Sequence, residues 1–163
     1  NKVFFNWING VAAINFCANK KLNLDEALGW AQQYIDRKIK YFPIYQAKAN
    51  VIAAMDKKAD ADGVMKEAIN LPDATVNQIT NYGHSLIAQK REKDAMPVFE
   101  TALKRYPGNS TALMGMVRGY ASNGDSKKAL KFAQDALKAE TDPAAKTAID
   151  GIVKKLEKGE PIN

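Results

Sequence analysis

His84 and Cys17 are the single histidine and single cysteine of the chain, and Arg118 is one of four arginines among 163 residues. These side chains could serve as base, nucleophile or anion receptor. Hydrolysis or metal assistance needs partners, and no second histidine or paired carboxylate stands at ligand or triad spacing from His84. One thiol can form neither an internal disulfide nor a thiolate cluster, which excludes structural zinc of the usual type. Cys17, beside Ile14 and Ala18 on an apolar stretch, reads as a buried structural thiol. Binding chemistry remains. Arg118 and His84 lie 34 residues apart, and with Asn50 and Asn81 beside them they offer a guanidinium, an imidazole and two amides to an anion or an extended peptide. The chain is therefore expected to be no enzyme and to use neither metal nor cofactor.

Charge narrows the partners. Lys and Arg number 24 against 18 Asp and Glu, a net +6 divided into +2 over residues 1–75 and +4 over residues 76–163. Acids are interleaved with the bases, as in Lys90-Arg91-Glu92-Lys93-Asp94. A nucleic-acid footprint instead gathers bases on one face, with aromatic platforms for stacking, so no nucleic-acid partner is expected. No window approaches the ~20 apolar residues of a membrane span. The uncharged stretch from Val3 to Asn19 is broken by Asn6, Asn9 and Asn15, and the chain starts with Asn rather than Met. The expectation is a fragment of a longer protein, with any address signal upstream.

The elements that must position these residues follow from a repeat. With 25 Ala and 20 Lys against 6 Pro and 10 Gly, the composition favours helix. Ala27, Ala61, Ala95 and Ala129 recur every 34 residues, followed seven places later by Tyr34, Ala68, Ala102 and Ala136. The preceding half of each period is as regular, with Val11, Tyr45, Ile79 and Leu113 in one phase and Ala18, Ile52, Leu86 and Tyr120 in another. Between them stand Asn15, Ala49, Gly83 and Val117, mostly small. Spacings of 3, 4 and 7 return to one helical face, so each period encodes two helices with facing apolar stripes. The periods run 8–41, 42–75, 76–109 and 110–143.

Helices are predicted at about 5–19, 24–40, 43–56, 60–70, 75–89, 92–106, 110–122, 126–139 and 143–157. Asn23 with Glu26 forms a capping-box signature, and Asp125, Asn109 and Asp142 are further caps, the last before Pro143. The turn Asp56-Lys57-Lys58-Ala59-Asp60 contains neither Gly nor Pro, so the second period is the least regular. The ninth helix, with Ala145, Ile149, Ile152, Val153 and Leu156 in one stripe, should cap the end of the stack.

The pattern resembles the tetratricopeptide repeat over about residues 8–143. The third period matches most fully, with Gly83, Ala95, Phe99, Ala102 and Pro107 where the motif expects them. The outer periods diverge: Asn15 and Val117 hold the small position, Lys48 a usually apolar one, and the family's Trp near each repeat start is missing. The resemblance implies an all-α, right-handed superhelix of helix-turn-helix repeats in one domain spanning residues 1–163. More loosely, Asn23-Leu24-Asp25-Glu26-Ala27-Leu28-Gly29-Trp30 after Ala12-Ala13-Ile14-Asn15-Phe16-Cys17 is similar to the helical C-terminal part of extracytoplasmic bacterial proteins of unknown function, implying an extracytoplasmic or periplasmic location.

In such a stack the first helices line a concave face. Ala12 and Phe16, Gln46 and Asn50, Thr80 and His84, then Met114 and Arg118 should point into it. Some family members clamp a peptide's terminal carboxylate there. Asn50 and Asn81 stand at positions resembling the clamp asparagines, whereas Gln46, Thr111 and Gly115 occupy the other clamp phases and leave Arg118 as the basic candidate. The groove set is thus Phe16, Gln46, Asn50, Asn81, His84, Met114 and Arg118, for a protein or peptide partner. An alternative surface is aromatic: Phe4, Phe5, Trp7 and Trp30 could dock on an upstream domain of the same chain, or on a second copy.

Overall fold

The computed structural model describes residues 7–162. Among them stand nine α-helices and no strand: α1 (Trp7–Lys20), α2 (Leu24–Asp36), α3 (Phe42–Ala54), α4 (Lys58–Ala68), α5 (Val76–Ala88), α6 (Glu92–Arg105), α7 (Ser110–Ser122), α8 (Ser126–Ala139) and α9 (Pro143–Glu157). The chain forms two compact units, divided between Ala74 and Thr75, one residue from the boundary of the second and third periods. Each unit therefore holds two helix pairs, and the second also holds α9.

The alanine phases are the packing faces. Ala27, Ala61, Ala95 and Ala129 are all buried, as are Ala68, Ala102 and Ala136 seven places on. In the first unit Ile14 and Cys17 of α1, Ala31 and Tyr34 of α2 and Ile44 and Val51 of α3 form one core, so the thiol is buried as its apolar neighbours predict. Lys48 reaches the surface of this unit by donating its Nζ to Gln32 Oε1 at 2.8 Å, while Gln32 Nε2 donates to Asp36 Oδ1 at 2.7 Å. A lysine at a usually apolar phase is thereby kept hydrogen-bonded.

The turns within the pairs use one device. Lys21, Asp56, Lys90 and Gly124, the last two 34 residues apart, all have positive φ, between 52° and 82°. After each, an amide reaches back five residues: Leu22 to Cys17, Lys57 to Ile52, Arg91 to Leu86 and Asp125 to Tyr120, at 2.9–3.2 Å. These bonds satisfy carbonyls left open at the helix end and offset the roughly 1–2 kcal/mol that a non-glycine residue incurs there. The second period needs no Gly because Asp56 takes the left-handed position itself. Asn23 does not form the predicted capping box. It too is left-handed, at φ 48°, rather than in the extended conformation of a capping residue, and makes no side-chain cap bond.

The units also close alike. In the first, Asp73 Oδ2 accepts the amide of Phe42 at 2.9 Å; in the second, Ser110 Oγ donates to Glu140 Oε2 at 2.6 Å. An acid after each second pair member thus holds the start of the pair's first helix.

The second unit is organised around Phe99 of α6, which is fully buried. A Cβ on Gly83 of α5 would lie 2.5 Å from the Phe99 ring, one on Gly115 of α7 2.7 Å, and one on Gly119 3.0 Å. Three glycines on two helices therefore cradle one ring, and no larger residue fits without displacing it. In the first unit, Gly10 makes a comparable close approach to Tyr34. Gly83→Ala sets helix propensity, a gain of about 1 kcal/mol, against this clash. We expect a net loss of roughly 1–3 kcal/mol in urea unfolding, and a neutral or stabilising effect once Phe99→Ala has emptied the cradle. A Gly83→Ala protein more stable than the parent would contradict this packing.

Candidate functional site

Local caps fix where the site-bearing helices begin. Thr75 forms a full capping box on α5: its Oγ1 accepts the Gln78 amide at 3.3 Å, and its own amide donates to Gln78 Oε1 at 2.9 Å. Asn109 caps α7 by accepting the Ala112 amide at 3.1 Å. With α5 and α7 packed side by side, His84 and Ile87 of α5 and Arg118 and Ser122 of α7 open onto one cleft of about 740 Å³. A further wall is supplied by Leu156 of α9 and by Glu160 and Ile162 beyond it.

His84 is half-buried and rests on Phe99, ring centroids 5.2 Å apart and planes tilted by 50°. The residue that sets the helix spacing thus also sets the imidazole. Burial holds the His84 pKa below its ordinary 6.5, and the nearby Arg118 guanidinium lowers it further. Arg118 is itself half-buried, its backbone carbonyl accepting the Ser122 hydroxyl at 2.6 Å. The cleft therefore presents a permanent cation beside an imidazole that is neutral at pH 7, with aliphatic walls. This arrangement can hold an anionic group and shelter an apolar side chain.

The other predicted groove residues are distributed differently. Asn81 is exposed on α5 and does not line the cleft. Met114 is half-buried and packs on the cores that join α7 to α8 and α9. Thr80, expected to face the hollow, is buried at 2% exposure; its hydroxyl donates to the Val76 carbonyl at 2.9 Å, and its methyl lies against Gly115. A β-branched residue can turn its hydroxyl back onto its own helix and enter a core. In the first unit Phe16 is 58% exposed, Gln46 is exposed, and Asn50 Nδ2 donates to Asn15 Oδ1 at 2.9 Å, linking α1 to α3. Trp30 is half-buried against the core of that unit. Phe4 and Phe5 lie outside the described residues, and Trp7 begins α1.

Sequence reasoning missed the wall after α9, because no helix is predicted beyond residue 157. The available signal was Gly159, 35 residues after Gly124 and left-handed like it. Among the described residues no three His, Cys, Asp or Glu side chains converge as metal ligands, and no helix is long and apolar enough to cross a membrane.

The depressed pKa carries a pH dependence. Unfolding frees His84 to titrate near 6.5, above its folded value, so the unfolded chain takes up the proton first. The stability associated with the neutral ring is complete above pH 6.5 and is lost as pH falls through the folded value. A proton NMR titration of the lone imidazole should have its midpoint below 6.5, and Arg118→Gln should raise it part of the way back. A native midpoint at or above 6.5, or one indifferent to Arg118→Gln, would contradict the geometry.

A family model for the tetratricopeptide repeat matches residues 86–150, entirely within the second unit. No curated protein matches the chain. Among solved structures it is similar to YrrB, a TPR protein described as having an unusual peptide-binding site, at 15% identity and a TM-score of 0.53, over 91% of this chain and 76% of that one. Residues 86–150 are thus similar to the tetratricopeptide repeat, and the likeness to YrrB is one of fold over nearly all of the chain.

Proposed function

We propose that the chain is a non-catalytic scaffold that binds a peptide or an extended segment of another protein on the faces of its first helices. The observation that carries this reading is the shared cleft of His84 and Arg118, where a half-buried guanidinium and imidazole meet aliphatic surface. The fold shared with YrrB, itself described as having a peptide-binding site, supports the same reading. Peptides selected from a random phage-displayed library should bind the chain in fluorescence anisotropy and weaken about tenfold or more in His84→Ala/Arg118→Ala. Undiminished affinity in that double variant would refute this choice of face.

A second reading has its own observation. In the first unit Phe16 and Leu22 are 58% and 55% exposed, apolar surface that a preceding domain of the same chain, or another protein, would cover. It predicts that Leu22→Asp lowers the melting temperature of the full-length protein without touching peptide affinity. An unchanged melting temperature would remove it.

A further inference from the structure

The cleft has a wall that no repeat provides. Two residues beyond α9, Gly159 has φ 71°; the Gly159 amide donates to the Leu156 carbonyl at 3.1 Å and the Glu160 amide to the Lys155 carbonyl at 2.9 Å. This is the same left-handed turn that reverses the chain within each helix pair, and Pro161 then prevents renewed helix. The reversed segment is anchored by Ile162, which packs on the cluster containing Val117, Val153 and Leu156. A short strap, residues 159–162, thereby lines the cleft opposite the two repeat helices, and it carries a carboxylate.

Among the described residues neither Arg118 nor Glu160 makes an ion pair, and the His84 ring makes a contact with Phe99 but no side-chain hydrogen bond. A half-buried charge is screened less than one in open solvent, so a ligand group of matching sign gains and one of like sign is penalised. An apolar ligand would cover Leu156 and Ile162 but leave the guanidinium desolvated and unpaired. A ligand with two acids would satisfy Arg118 and then meet Glu160.

We propose that the strap makes this cleft selective for short segments in which an acidic and a basic side chain flank an aliphatic one, the acid meeting Arg118 and His84 and the base meeting Glu160. The proposal rests on the peptide-binding reading above and adds the ligand's chemistry to it. The volume of about 740 Å³ suits a few residues rather than a folded surface.

Two labelled peptides with Gly and Ser flanks, one centred on Asp-Leu-Lys and one on Asp-Leu-Asp, test it by anisotropy at neutral pH. The parent chain should prefer Asp-Leu-Lys by about tenfold; Glu160→Gln should level the preference and Glu160→Lys should reverse it. Position 160 is exposed, so neither variant disturbs the fold. Equal affinities in the parent, failure of both peptides to bind, or a preference unmoved by Glu160→Lys would overturn the proposal. The library-selected peptides, run in parallel, separate the two levels. If they depend on Arg118 while the strap variants change nothing, only the strap's role falls; if they ignore both, the peptide site falls with it.

Discussion

The seating of one phenyl ring against three glycines governs the second unit. Phe99 lies where Cβ atoms on Gly83, Gly115 and Gly119 would have to be, so α5 and α7 can come together only around it. That approach aligns His84 with Arg118, residues 34 apart in sequence, and the same ring supports the His84 imidazole from below. A repeat fold has no single central core to impose such an alignment; each pair must be held by its neighbours. Here the local lock and the binding geometry are the same contact.

From this lock the cleft acquires its character. Helices held closely by small residues leave their outer turns free to present longer side chains, and on α5 and α7 those are an imidazole, a guanidinium and an aliphatic residue. Burial and the neighbouring cation keep His84 neutral, which leaves Arg118 as the site's permanent positive charge. The strap after α9 changes an open trough into a cleft with a negative wall. α9 therefore does more than cover α8: its terminal turn, built like the turns of the repeats, sends the chain back along the cleft.

Much of this was legible in the sequence because packing at every period depends on residue size. Alanine at the helix-facing phases leaves a periodic trace, and the buried alanines fall where the 34-residue spacing puts them. Pairing His84 with Arg118 needed only that spacing. Other features leave no such trace. Asn23 and Asp56 have ordinary turn identities that suit a cap as well as a left-handed turn, and both take the left-handed conformation without capping. Thr80 carries a hydroxyl that alignment places toward solvent, yet its own backbone satisfies it inside the core. Gly115 and Gly119 reveal their purpose only when Phe99 is seen between them. The strap was hidden because four residues after a helix carry no period, and Ile162 owes its role to a fold-back that Gly159 initiates.

Where a bound peptide lies decides which face of this chain meets its partner. Titrating isotope-labelled protein with a library-selected peptide and following backbone and side-chain NMR shifts would locate it residue by residue. The predicted result is a contiguous set of changes at His84, Ile87, Arg118 and Ser122 together with Glu160 and Ile162. Changes confined to the outward faces of α6 and α8, or to the Phe16 and Leu22 surface of the first unit, would show that the hollow beside Phe99 is not where this chain meets its partner.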